Sequence, residues 1–294
     1  MKLPLPKKVK NNLWFLLTMT AFYIRWLRAL VYTPIVVFTL GKVGSTTVKY
    51  SLEKAGLPNP VFHTHFLSKE HIDDTIEIAR GWDLTVKRPF SLVQGLALNR
   101  LGTLTWDTRK WKVITLVREP VGREISDLFQ NPFHFPHLAK LEGQAFVSSA
   151  SAELRKAIAE FDPATNYTVC WFDWEIKKMF GLDLYQQAFD PAKGYAIYSS
   201  PRADILLIRM EDLSRCAGQA FQEFLGIPNF LLHKANEAAA KDYSSEYRTV
   251  LDSISFPPQD LEKVYNARYA RHFYTPAEIQ AFKQRWEQAP AERG

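Results

Sequence analysis

TLGKVGSTTVKY, residues 39–50, is the stretch on which the reading of this chain turns. It continues a β-branched apolar run, PIVVFTL at 34–40, of the kind that forms a strand buried on both faces. Gly41 and Gly44 interrupt that run, and a helical pattern follows from Ser45 to Ala55, stopped by Gly56. A strand, a Gly-containing turn and a helix opening on Ser45, Thr46 and Thr47 gather backbone N–H groups and three hydroxyls at the positive end of a helix. Lys42 adds a mobile cation. A plain βα turn with Ser45 as N-cap is the simpler alternative. Lys42 and three successive hydroxyls together after a buried strand favour a bound phosphate.

Working outward, strand patterns recur at 61–65, 112–117, 195–198 and 205–209. Helical patterns cover 68–80, 121–130, 151–161, 171–180, 213–225 and 234–248, with late helices at 259–267 and 276–286. Strands alternating with helices predict an α/β, P-loop-type three-layer fold, its central mainly parallel sheet flanked by helices. The expected organisation is a helical segment at 1–33 and one domain at 34–290, with a helical insertion around 66–110. Two cysteines, Cys170 and Cys216, are too few for a disulfide scaffold and lack zinc or redox spacing.

A nucleotide hydrolase of the Walker type needs its Lys after the second Gly and an Asp on another strand to hold Mg²⁺. Here Lys42 precedes the second Gly, and the strand KVITLV (112–117) runs into Arg118. An Arg at that place grips an anion directly and holds no metal. Arg118 opens REPVGREIS (118–126), in which Pro120 suits a first helical turn and Arg123 and Ser126 share a helix face. Alone, Arg118 would be read as an ion-pair partner of Glu119 or Glu124. Beside the Lys42 loop, it makes a second anion site, with Ser126 donating a hydroxyl. Two such sites suit a nucleotide phosphorylated at both ends.

These residues resemble the sulfotransferases that use 3′-phosphoadenylyl sulfate (PAPS). GKVGSTT (41–47) resembles their 5′-phosphosulfate loop, and Arg118 with Ser126 eight residues on resembles their 3′-phosphate motif. ILLIRMEDLS (205–214) with FQEFLGIP (221–228) is similar to their strand–Glu-Asp-Leu–helix segment. YNARYARHFYTPAEI (265–279) is similar to the C-terminal segments of bacterial carbohydrate sulfotransferases, and residues 34–286 as a whole resemble bacterial capsular-polysaccharide-synthesis proteins of that superfamily. The resemblance implies PAPS as co-substrate, no metal, and a hydroxyl of a carbohydrate as acceptor. It implies that Gly41, Lys42, Val43, Gly44, Ser45, Thr46 and Thr47 hold the phosphosulfate, with Lys42 at the leaving oxygen, while Arg118 and Ser126 hold the 3′-phosphate.

The acceptor hydroxyl needs a base. His63 and His65 alternate in FHTHF and point the same way if it is a strand. THFLS resembles the segment that carries the catalytic His of cytosolic sulfotransferases, which favours His65, then His63, with the carboxylates Glu70 and Asp73 left open. About fifty residues separate His65 from Arg118, more than in those enzymes. The Arg-Lys-Gly motif of those enzymes is missing, and Lys234, Lys241 or Arg248 stand nearest to replacing it. Trp82 is one choice for stacking on adenine. WFDWEIKKMFGLDLY (171–185), with Asp173 and Glu175 among aromatics, suits either a sugar or an amphipathic core helix.

Charge is concentrated at the N-terminus. The chain carries 37 basic and 31 acidic residues, yet residues 1–52 hold eight basic side chains and no acid. That leaves 29 basic against 31 acidic residues, so a general nucleic-acid surface is not expected. NNLWFLLTMTAFYI (11–24), flanked by Lys10 and Arg25, is too short to span a bilayer and is followed by no small-x-small cleavage site. It is read as a helix packed on its own domain, or as one lying on an anionic membrane face through residues 1–31 with Trp14 and Trp26 at the interface. The expected location is cytoplasmic, peripheral on the inner membrane. A P-loop nucleotide kinase or NTPase, and a non-catalytic nucleotide-binding protein of capsule assembly, are the competing readings.

Overall fold

The computed structural model describes residues 7–81, 90–130, 135, 137–233 and 244–287. Strands β1 (Ile35–Phe38), β2 (Val61–Thr64), β3 (Trp111–Val117), β4 (Tyr195–Ser199) and β5 (Ala203–Arg209) form one sheet in the order β2-β1-β3-β5-β4. All pairings are parallel except β4 with β5. The buried strands are apolar on both faces, as a covered parallel sheet requires, whereas β4 alternates buried and exposed residues at the edge. Its antiparallel pairing follows from the tight connection through Ser200, whose Oγ accepts from the N–H of Ala203 at 3.1 Å and of Arg202 at 3.3 Å.

Helices α1 (Lys7–Arg28), α2 (Ser45–Lys54), α3 (Lys69–Gly81), α4 (Phe90–Thr105), α5 (Pro120–Gln130) and α6 (Gly143–Ala159) surround the first three strands. Next, α7 (Tyr167–Trp171) runs through a π turn, Phe172–Lys177, into α8 (Lys178–Phe180). The rest are α9 (Leu213–Leu225), α10 (Ser244–Ser253), α11 (Pro258–Asn266), α12 (Arg268–Phe273) and α13 (Pro276–Glu287). Trp171, fully buried, lies 4.9 Å from the Phe38 ring and pins the π-turn segment to β1.

Topology puts the site in place. From β1 the chain passes through α2 to β2 on one side, and from β3 it proceeds to β5 on the other. The C-terminal ends of β1 and β3 therefore flank the crevice where the connections diverge, the usual ligand position in such sheets. The 39–50 loop leaves one of these strands and Arg118 the other.

Several boundaries differ from the sequence expectation. α6 opens at Gly143 rather than at 151, because Val147, Ala150, Leu154 and Ile158 keep one continuous buried face. The helix expected over 234–248 is found as α10, which places Val250 in the core, while residues 234–243, with Lys234 and Lys241, lie outside the described residues. Trp82 lies outside them as well.

In α1, Met19, Phe22 and Trp26 turn inward, Phe22 against Phe62 and the Trp26 indole N–H donating to the Ala97 carbonyl at 3.2 Å. Trp26 is thus packed against the body of the domain. Arg25 bonds Glu53 at 3.2 Å and Arg28 the Pro58 carbonyl at 2.6 Å, so both tie the helix to the body. No helix among the described residues is long and apolar enough to cross a membrane.

Candidate functional site

The turn between β1 and α2 has a backbone that few sequences adopt. Lys42 and Gly44 both have positive φ, 70° and 86°. Glycine takes this left-handed conformation without cost, whereas Lys42 takes it under strain of the sort that collects at functional sites. Gly44 is the N-cap of α2 and offers no side chain to it; its carbonyl accepts the Thr47 N–H at 3.1 Å, and no side chain of the cap competes with an anion for the helix start. The Lys42 ammonium reaches the Gln130 side-chain oxygen at 3.4 Å, across the crevice on α5.

Arg118 closes on the same turn. Its Nη1 donates to the Lys42 carbonyl at 3.0 Å and to the Ser126 hydroxyl at 2.7 Å. The Tyr247 hydroxyl of α10 lies 3.3 Å from Ser126 Oγ, so a guanidinium and two hydroxyls meet at one point. Arg118 does not pair with Glu124, which instead binds Arg123 at 2.6 Å. Arg123 is buried and donates through Nε to the Gly41 carbonyl at 3.2 Å. Burial opposes its charge, and Glu124 with Asp127 outweigh that, so the guanidinium stays firmly protonated.

Behind Arg118 the C-terminal tyrosines form a brace. The Tyr269 hydroxyl donates to the Arg118 carbonyl at 3.1 Å and accepts its N–H at 3.0 Å. The Tyr265 hydroxyl bonds the buried Glu119 carboxylate, which also accepts the N–H groups of Val121 at 2.8 Å and Gly122 at 2.7 Å and so caps α5. Glu211 accepts the Glu119 N–H at 2.7 Å and the Tyr274 hydroxyl at 3.1 Å. Burial raises the pKa of both Glu119 and Glu211, and the donors around each work the other way. The C-terminal segment 265–274 therefore serves to hold the strand end that presents Arg118.

His63 and His65 lie on one side of the β2 end, their rings edge to face at 4.8 Å, as the alternation predicts. The β2 strand stops at Thr64, so His65 belongs to the turn that follows. His63 Nε2 is 3.0 Å from Ser45 Oγ. Burial, then His65 and Lys49, pull its pKa down to about 3, so it is neutral at pH 7. If Nε2 carries the hydrogen, the Ser45 O–H is left to donate to an anion. His65 Nδ1 bonds the Thr39 carbonyl at 2.7 Å; a carbonyl only accepts, so Nδ1 carries the hydrogen and Nε2 the lone pair. Burial lowers its pKa, the Thr39 carbonyl opposes this, and Lys42 and Arg123 lower it further. Glu70 and Asp73 are exposed and paired on the surface with Lys178 and Lys69, away from the loop.

Residues 153–275 match the family model described as "Putative capsular polysaccharide synthesis protein". The match ties this stretch to capsular polysaccharide synthesis; no curated protein and no solved structure matches the chain. The matched stretch holds the tyrosine brace, β4, β5 and the π turn, and omits both the 39–50 loop and Arg118–Ser126.

The sequence gives no sign of Tyr247, and it points to Arg123 and Glu175 without the partners the fold gives them. Tyr247 reaches Ser126, while its charged neighbour Arg248 is exposed. Arg123 was placed beside Ser126 and is found supporting Gly41. Glu175 is fully buried in the π turn and bound to His71, a relation between residues 104 positions apart that no local pattern reveals.

Proposed function

We propose that the chain transfers the sulfuryl group of PAPS to a hydroxyl of a carbohydrate of the capsular or exopolysaccharide class. The observation that carries this reading is the meeting of Arg118 Nη1 with the Lys42 carbonyl at 3.0 Å, which joins two cationic anion sites in one crevice. The turn at 41–47 takes the 5′-phosphosulfate, and Arg118, Ser126 and Tyr247 take the 3′-phosphate. The acceptor oxygen attacks sulfur while the bond to the 5′-phosphate oxygen breaks. The electron pair leaves on that oxygen beside Lys42, the acceptor proton passes to His65 Nε2, and 3′,5′-adenosine bisphosphate and a sulfate ester result. A neutral His65 is the form this step requires. The family match to capsular polysaccharide synthesis supports the acceptor class.

Thermal unfolding with and without nucleotide tests the reading. At about one hundred times its Kd, 3′,5′-adenosine bisphosphate adds about 2.7 kcal/mol, a rise of about 5 °C, without Mg²⁺. AMP gives far less. A response to Mg·ATP alone would remove the assignment.

The same reading includes attachment to an anionic lipid surface. On the face of α1 opposite Phe22 and Trp26, Leu16, Leu17, Ile24 and Leu27 are 57–62% exposed and follow a helical stripe. They lie in a segment of residues 1–52 that carries no acid. An apolar stripe with basic flanks suits a helix lying in the headgroup layer. The chain is expected to sediment with phosphatidylglycerol vesicles at low salt, and Leu16→Glu with Leu27→Glu to weaken this at least tenfold. Equal sedimentation of the double variant would discard lipid attachment and leave the transfer reading standing.

A further inference from the structure

The π turn Phe172–Lys177 presents two neighbouring residues in opposite senses. Glu175 is 0% exposed while Trp174 is 38% exposed. One Glu175 oxygen accepts the N–H groups of Leu67 and Ser68, both at 2.9 Å, and the other lies 2.7 Å from His71 Nδ1. Burial raises the Glu175 pKa and the His71 bond opposes this. One oxygen thus holds the Leu67–Ser68 backbone, and the other is left to orient the His71 ring.

With Nδ1 donating to Glu175, the lone pair of His71 lies on Nε2, which no described residue binds. The imidazole is held edge-on by Phe66 at 5.0 Å and Trp174 at 5.5 Å, with the Tyr167 ring at 6.0 Å. It retains 17% side-chain exposure, so a ligand can reach it. The Tyr167 ring in turn lies 5.5 Å from the Arg123 guanidinium, whose Nε holds the Gly41 carbonyl. Leu67 and Ser68 follow His65 almost directly in the chain. The aromatic surface therefore adjoins the 39–50 loop on the side of His65.

We infer that Trp174, Tyr167 and His71 form the acceptor subsite: a pyranose ring stacks its C–H face on Trp174 while His71 Nε2 accepts a hydroxyl hydrogen. This rests on the carbohydrate reading above. A flat aromatic and one fixed acceptor are the elements that give a polar ring both contact area and orientation. Glu175 is a positioning residue, setting the His71 tautomer from below.

Saturation-transfer NMR on the full chain tests it, with methyl β-D-galactopyranoside, methyl β-D-glucopyranoside, N-acetylglucosamine and glucuronic acid as probes. At least one sugar is expected to receive saturation at its ring C–H protons. Trp174→Ala and His71→Phe should each reduce that signal at least fivefold, with the thermal shift by 3′,5′-adenosine bisphosphate unchanged. Glu175→Gln keeps the volume and is expected to reduce it as well. Because Trp174 is exposed, its truncation opens no core, and Trp174→Phe provides a milder variant that should retain part of the signal. Silence of all four sugars with the wild-type chain, or an undiminished signal in both the Trp174→Ala and His71→Phe variants, overturns the subsite. Loss of the bisphosphate shift in the wild-type chain would count against the nucleotide reading alone, since the sugar signal is read separately.

Discussion

Lys42→Ala is expected to bind 3′,5′-adenosine bisphosphate within about threefold of the wild-type chain and to transfer sulfuryl groups about 10²- to 10³-fold more slowly, the usual consequence of deleting one preorganised stabiliser of developing charge. The bisphosphate has already received its charge from the broken bond, but the other anion contacts of the turn and of Arg118 bind it still. The transition state, in which that charge is growing, loses its nearest cation. A companion variant separates the backbone from the side chain. Lys42 has φ 70°, a conformation that costs an L-residue about 1–2 kcal/mol and glycine nothing. Lys42→Gly should therefore unfold at a higher temperature than Lys42→Ala while remaining equally slow. Bisphosphate release from PAPS with a glycan acceptor measures the rate, and calorimetric titration measures the binding. Transfer by Lys42→Ala at the wild-type rate would take Lys42 out of the chemistry.

The separation of contacting residues along the chain decides what could and could not be read from the sequence. The β1–turn–α2 unit was legible because each of its signals is local: an apolar run, two glycines, and small hydroxyl residues opening a helix. Arg118 was legible for the same reason, since it ends a strand and stands just before Pro120 at a helix start. The brace behind it was not. Tyr265 and Tyr269 on two short helices, and Tyr274 just after the second, resemble ordinary core aromatics, and their hydroxyl partners Glu119, Arg118 and Glu211 lie 63 to 151 positions away. Tyr247 was hidden by a similar separation, 121 positions from Ser126. Long-range polar contacts of buried groups are chosen by topology, and a single sequence does not carry that information. The pair Glu175 and His71 belongs to the same class, made harder by the π turn, whose extra residue shifts the side-chain register that a 3.6-residue pattern assumes.

The tyrosine brace matters to the second site because an anion-binding guanidinium is effective when it is held in place before the ligand arrives. Arg118 is fixed at its backbone by Tyr269 and at its side chain by the Lys42 carbonyl and Ser126. Arg118→Ala should abolish the preference for 3′,5′-adenosine bisphosphate over AMP, lowering bisphosphate affinity at least 10²-fold while AMP affinity stays within a few-fold. The reason is additive: a guanidinium donates charge-assisted bonds of about 1.5–3 kcal/mol each, and a 3′-phosphate takes two of them. Ser126→Ala removes one neutral hydroxyl, about 1 kcal/mol, and should cost five- to tenfold on the same ligand. Arg118→Lys keeps the charge and loses the planar fork, so its loss should fall between the two. Calorimetric titration of the three variants with both nucleotides gives the order directly. An Arg118→Ala chain that still preferred the bisphosphate by the wild-type ratio would move the 3′-phosphate elsewhere and leave Lys42 without its partner site.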